Sequence, residues 1–163
     1  MIPKKIQPHC RIIYVKEEDD TVLTEGICTC CNTSEFLVWI SGELKHGFFT
    51  KMYLVPKNEW MAVNVQCTKC NKMISVYDSN SDGYDNVEYH QYTIKRDQPQ
   101  IVFCKKCRGS NFSLSIKYEY SGIQELRELG IMEIDNAFSW IWCTLECINC
   151  GTKYRHFVDH ETG

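Results

Sequence analysis

Residues 60–70 read Trp60-Met61-Ala62-Val63-Asn64-Val65-Gln66-Cys67-Thr68-Lys69-Cys70, and residues 140–150 read Trp140-Ile141-Trp142-Cys143-Thr144-Leu145-Glu146-Cys147-Ile148-Asn149-Cys150. With Cys67 placed over Cys147, Trp60 falls on Trp140, Met61 on Ile141, Val63 on Cys143 and Val65 on Leu145. Apolar residues alternate with polar ones on the way into each C-x-x-C, the period-two signature of a half-buried strand entering a tight turn. The aligned positions are expected to share one strand face; Trp39, Trp60 and Trp140 read as core, with a partner surface as the alternative. A second register links two other cysteines. With Cys31 over Cys107, Phe36 falls on Phe112, Val38 on Leu114 and Ile40 on Ile116. The two shifts, 76 and 80 residues, differ by no more than a loop insertion. The chain therefore reads as two copies of one unit, over about residues 20–78 and 96–163. Each copy has a cysteine knuckle, a strand, a variable middle and a strand into a second knuckle.

Eight of the 11 cysteines form four C-x-x-C units: Cys28/Cys31, Cys67/Cys70, Cys104/Cys107 and Cys147/Cys150. Thiolates bind zinc tetrahedrally, and two cysteines three apart on a knuckle occupy two corners. Four knuckles supply two complete sets, so two structural Zn²⁺ ions are expected. Duplication favours pairing within copies: Cys28, Cys31, Cys67 and Cys70 on one ion, Cys104, Cys107, Cys147 and Cys150 on the other. A cross-braced pairing between copies stays open. The pattern resembles the zinc-ribbon class over the cysteines and their flanking strands, about half of the chain. That resemblance implies an antiparallel β scaffold and fixes no activity.

The spacers between knuckles, 35 and 39 residues, exceed those of a minimal ribbon, so further strands or a short helix must fill them. The expected fold is mostly β: two tandem zinc-ribbon-like antiparallel β units with one or two short helices. Residues 1–78 form the first unit with an N-terminal strand, 79–95 the linker and 96–163 the second unit. Arg11–Val15, Lys51–Val55, Met73–Tyr77 and Tyr89–Lys95 read as further strands, and Glu17–Asp20 as a polar turn. Ile123–Leu129 reads as a helix, opened by Ser121-Gly122 and ended by Gly130.

Composition narrows the setting. Of 163 residues 44% are hydrophobic, enough for an ordinary core, but each half is small enough to gain from a staple. No apolar stretch follows Lys4-Lys5, so no signal peptide is read. No apolar run reaches membrane-spanning length. An odd cysteine count would leave one thiol over in an oxidised protein. A reducing, cytoplasmic setting is expected, where clustered cysteines mean metal or redox chemistry. Eight ionised thiols and two divalent ions move the formal charge of −3 to −7, which excludes a polyanion-binding surface over the whole protein.

Other candidates read more plainly. Asp78-Ser79-Asn80-Ser81-Asp82-Gly83 opens like a calcium loop, yet its twelfth position is Tyr89 rather than Glu, which leaves a solvated turn. His156 and His160 follow Cys150 too closely for a Cys₂His₂ finger and read as an exposed tail. Cys143 reads as a core residue, Cys30 as a knuckle residue without a counterpart, and Cys10 as an inert thiol.

Closed four-cysteine sites leave a zinc no open position, and no nucleophile elbow, phosphate loop or acid pair is present. No catalytic and no organic cofactor residues are assigned. The expected function is a non-enzymatic zinc-binding adaptor whose partner is another protein, with no membrane role. The alternative is a nucleic-acid-binding regulator using Lys105, Lys106 and Arg108, joined by Lys95, Arg96, Lys153 and Arg155, with Tyr118, Tyr120 or Trp142 stacking on bases. A third reading is a redox-sensing zinc protein.

Overall fold

In the computed structural model, residues 1–16, 20–49, 51–88, 97–131 and 134–162 are described. Strands β1 (Cys10–Lys16) and β2 (Thr21–Gly26) form a hairpin, and β3 (Phe36–Ser41) leaves the first knuckle. Strands β4 (Glu43–His46) and β5 (Met52–Val55) make a separate hairpin. Strand β6 (Ala62–Cys67) enters the second knuckle, β7 (Met73–Asp78) leaves it, and one helical turn follows as α1 (Asp85–Glu88). The second half holds β8 (Gln100–Ile101), β9 (Asn111–Glu119), helix α2 (Ile123–Glu128), β10 (Trp140–Cys147) and β11 (Lys153–Glu161). The fold is mostly antiparallel β with short helices, the class expected from the cysteine and strand pattern. The Tyr89–Lys95 strand and Glu17–Asp19 of the polar turn lie outside the described residues.

The pairing register shows how the halves meet. Phe36 faces Phe112 across β3 and β9, and these are counterparts at the 76-residue shift. A residue opposite its own counterpart marks a local two-fold axis, as in an isologous dimer interface. The flanking strands obey the same axis. Thr24 and Glu25 of β2 face Ile116 and Ser115 of β9. Moving each residue by 76 to its counterpart turns these pairs into Gln100–Ile40 and Ile101–Trp39, the pairing of β8 with β3. Each half thus lends its opening strand to the other: β2 pairs with β9, which continues to β10 and β11, whereas β8 pairs with β3, which continues to β6 and β7. One hydrophobic cluster spans both halves, from Phe36, Val38 and Val63 to Phe112, Cys143 and Phe157.

Strand parity sorts the aromatics. Strand β10 buries Ile141, Cys143, Leu145 and Cys147 and turns Trp140, Trp142, Thr144 and Glu146 outward. Trp140 is therefore not on the core face, because strand neighbours point to opposite sides. Trp60 is buried ahead of β6, its indole N–H donating to Asp78 Oδ1 at 2.8 Å. Trp39, half-buried on the outer side of β3, donates to Gln66 Oε1 at 3.2 Å.

The long spacers are filled differently in the two halves. In the first, the β4–β5 hairpin packs β5 against β11. In the second, α2 buries Ile123 and Leu126, and Gly130 at φ +76° ends it as the sequence indicates. The calcium-like segment is a closed turn. Asp82 is buried, accepts the Asp78 N–H at 2.7 Å and pairs with the Lys5 ammonium. A Cβ on Gly83 would stand 2.3 Å from the Thr162 Cβ, so glycine alone allows this approach. The carboxylate that a cation would need is already neutralised by a lysine.

Candidate metal centres

The four knuckles share one backbone. In each, the first cysteine's carbonyl accepts the N–H four residues on: from Asn32 at 2.7 Å, Asn71 at 3.0 Å, Arg108 at 2.8 Å and Gly151 at 2.8 Å. Its N–H donates to the carbonyl five residues on, at Thr33, Lys72, Gly109 and Thr152, over 2.7–2.9 Å. Asn32, Asn71, Arg108 and Gly151 all take positive φ, between 52° and 68°. Asparagine and glycine tolerate this left-handed bend, whereas arginine is strained in it. Arg108→Gly is expected to raise stability by about 1 kcal/mol, read as a higher urea midpoint at unchanged slope.

These turns place Cys28, Cys31, Cys67 and Cys70 in one group and Cys104, Cys107, Cys147 and Cys150 in another, with the sulfurs of each group within 4.8 Å of one another. The close pairs are Cys28–Cys70 at 3.5 Å, Cys31–Cys67 at 3.3 Å, Cys104–Cys150 at 3.6 Å and Cys107–Cys147 at 3.5 Å. A disulfide needs about 2.05 Å. Four Zn–S bonds of about 2.3 Å would set tetrahedral edges near 3.8 Å. The spacing fits four sulfurs around one ion, and each group draws its cysteines from one half. Cross-bracing between the halves does not occur.

Protons are shared unevenly within each group. Burial resists ionisation of Cys28, but the Cys30 N–H and the thiols of Cys70, Cys67 and Cys31 donate to its sulfur and bring its pKa to about 6. At Cys104 burial again resists, and the Tyr154 hydroxyl with the N–H groups of Cys107 and Lys106 brings the thiol to about 6. Cys31, by its hydrogen bond to Cys67, and Cys147, by burial, are pushed up to about 12. A divalent ion held by the four sulfurs would displace the remaining protons.

The second centre has extra support. The Tyr154 hydroxyl lies 3.1 Å from Cys104 Sγ and accepts the Lys105 N–H at 2.8 Å. The Thr152 hydroxyl lies 3.2 Å from Cys150 Sγ. The corresponding residues of the first half, Ile74 and Lys72 at the 80-residue shift, offer no hydroxyl. Sequence reading missed Tyr154; its one signal was a polar-tipped residue at a core-facing strand position.

The other candidates fall elsewhere. Cys143 is buried in the core, where burial pushes its thiol up to about 12. Cys10 is half-buried, its pKa also raised by burial, and Cys30 is exposed outside the first group. His156 and His160 lie on β11 instead of a tail: His156 pairs with Asp159 at 3.1 Å, and His160 Nδ1 meets the Tyr77 hydroxyl at 2.7 Å. Lys105 donates to the Gly47 carbonyl at 2.8 Å, while Lys106 and Arg108 are exposed. Tyr118 and Tyr120 are fully buried and offer no stacking face. Trp142 is half-buried on the outer sheet surface. Lys95 and Arg96 lie outside the described residues. Among the described residues no helix is long and apolar enough to cross a membrane.

No protein-family model, no curated protein and no solved structure matches this chain.

Proposed function

We propose that the chain is a non-enzymatic interaction protein held together by two structural zinc ions, one in each four-cysteine centre. The observation that carries this reading is the closure of both sulfur groups on four equivalent knuckles. Soft thiolates select zinc over hard oxygen-seeking cations. Four protein sulfurs fill a tetrahedron and leave no position for water or substrate, which catalytic zinc requires. No cysteine is in a disulfide, which suits a reducing compartment, and we place the protein in the cytoplasm.

What such a protein does is done by its surface. Phe48 and Phe49, at the tip of the β4–β5 hairpin, are 91% and 94% exposed. Aromatic side chains of this kind anchor in partner pockets, and we take the partner to be another protein. Metal analysis of the native chain should return two zinc ions. Affinity capture under zinc-retaining conditions should return a protein that the Phe48→Ser/Phe49→Ser variant fails to hold. One zinc or none defeats the structural-zinc reading, and equal capture by the variant defeats the role of the hairpin tip.

The Tyr154 contact gives a finer expectation. Groups hydrogen-bonded to metal ligands typically contribute 10- to 100-fold in metal affinity. Tyr154→Phe should weaken zinc at the second centre by about tenfold in chelator competition and leave the first centre unchanged.

A further inference from the structure

The two halves carry equivalent grooves on the outer faces of their sheets, and only one of them is basic. In the second half, Lys117, Lys153, Arg155 and His156 line an open groove of about 480 Å³ together with Trp142 and Thr144. At the shifts of 76 and 80 residues their counterparts line a groove in the first half: Ser41 stands for Lys117, Ala62 for Trp142, Asn64 for Thr144 and Ser75 for Arg155. That groove also holds Asp78 and Asp97, with no lysine or arginine in its lining. The same strands in the same register thus accept small neutral side chains. The fold alone does not call for cations and a tryptophan there.

The backbone of the second groove is shaped as well. The β10–β11 register steps from Leu145–Tyr154 to Cys143–Val158, so three residues of β11 span the place of Thr144 alone. The matching step in β6–β7, from Asn64–Ser75 to Val63–Tyr77, inserts one residue. Inside the larger bulge His156 takes φ +55°, a strained conformation for a non-glycine residue. Arg155 and His156 are consecutive, yet both are exposed and both line the groove. Bulges re-aim side chains in this way, and both they and strained residues gather at functional sites.

The charges are only partly satisfied. Lys153 pairs with Glu146 at 3.3 Å, and His156 with Asp159 at 3.1 Å. Neither Lys117 nor Arg155 has a carboxylate partner among the described residues. The Lys117 ammonium sits 4.3 Å from the centre of the Trp142 ring, which stacks on Trp140 at 5.5 Å and 14°. Hydroxyls of Ser115 and Thr144 and the apolar Leu23 complete the lining.

We propose that this groove binds a nucleotide, with the phosphate held between Lys117 and Arg155 and the heterocycle on the Trp142 face that the Lys117 ammonium leaves as it turns to the phosphate. Paired cations recognise phosphate, a tryptophan face receives any base, and hydroxyls serve the sugar and base edges. The volume suits one such unit, since small-molecule sites span about 300–1,000 Å³. The same chemistry is presented by a free nucleotide and by a nucleotide within a single strand. The proposal rests on the preceding reading only in taking the zinc centres as structural.

The experiment titrates the full zinc-loaded chain with mononucleotides, short single-stranded DNA and RNA, and inorganic phosphate, following tryptophan fluorescence and anisotropy at about 50 mM and about 200 mM salt. Nucleotides or strands should bind at least about tenfold tighter than inorganic phosphate. Lys117→Gln/Arg155→Gln and, separately, Trp142→Leu should each weaken binding about tenfold or more, whereas Ser41→Ala in the first groove changes nothing. Strands that bind tighter than mononucleotides, with steep salt dependence, identify nucleic acid as the source; equal affinities identify the free nucleotide. Absence of binding at low salt, equal binding of inorganic phosphate, or unchanged binding by the Lys117/Arg155 variant overturns the proposal. Zinc content is measured on every sample. Loss of the groove activity with two zincs retained leaves the structural reading intact, and missing zinc in the native chain refutes that reading alone.

Discussion

With a zinc in each centre, as proposed, removing the metal from one of them should unfold both halves in a single transition. A structural zinc contributes on the order of 10–16 kcal/mol to the folded state. A whole domain is typically stable by about 5–15 kcal/mol, so no remaining contact compensates for its loss. The exchanged strands spread the damage. When the first knuckle pair opens, β3 loses its anchor, and with it the partner of β8 and the Phe36–Phe112 contact to β9. Strand β2, which belongs to the first half, is then lost from the side of β9. The shared hydrophobic cluster leaves no second core to fall back on. Cys70→Ser and Cys150→Ser should therefore give the same result: a chain without cooperative melting by circular dichroism, and loss of the stacked Trp140–Trp142 signal in both variants. A Cys70→Ser protein that keeps the β9–β10–β11 sheet and one bound zinc would contradict this account.

The cysteines and the alternating strands around them were legible because each is a local feature. A knuckle needs only two thiols at a fixed spacing, and a half-buried strand needs only a period of two. The repeat registers were legible for the same reason, and the within-half grouping of the sulfurs followed from them. What remained hidden depends on partners. Alternation states that Ile40 and Ile116 face a core but not which strand lies beside them, so the exchange of β2 and β8 left no mark in the sequence. Trp140 was misplaced because its match to Trp60 was given more weight than its own parity with Ile141. The tail reading of His156 and His160 failed because a strand with a two-residue bulge breaks the period that would announce it. The basic groove was invisible as a unit. Its cations lie on β9 and β11, some 36 residues apart from Lys117 to Lys153, and only the sheet assembles them. Tyr118 and Tyr120, offered as stacking residues, have the opposite placement because β9 alternates inward at Phe112, Leu114, Ile116 and Tyr118.

Truncating either phenylalanine at the local two-fold axis should cost about 3–5 kcal/mol, since both are buried and phenylalanine to alanine in a core loses that much. The two are not equivalent beyond that cost. Phe112 meets the ring of Tyr154 edge-on, with centroids 6.3 Å apart at 66°. Tyr154 in turn bonds Cys104 Sγ. Phe112→Ala should consequently loosen zinc at the second centre as well as lower the urea midpoint. Phe36→Ala should lower the midpoint alone, because the counterpart of Tyr154 is Ile74, which holds no sulfur. The pair also faces itself across β3 and β9, so each substitution removes part of what the other would lose. The double variant should fall short of the summed losses by about 0.5–3 kcal/mol, the range of coupling for interacting neighbours. Strictly additive losses would mean that the seam between the halves is held elsewhere. Equal zinc affinities in the two single variants would mean that Tyr154 is not positioned through Phe112.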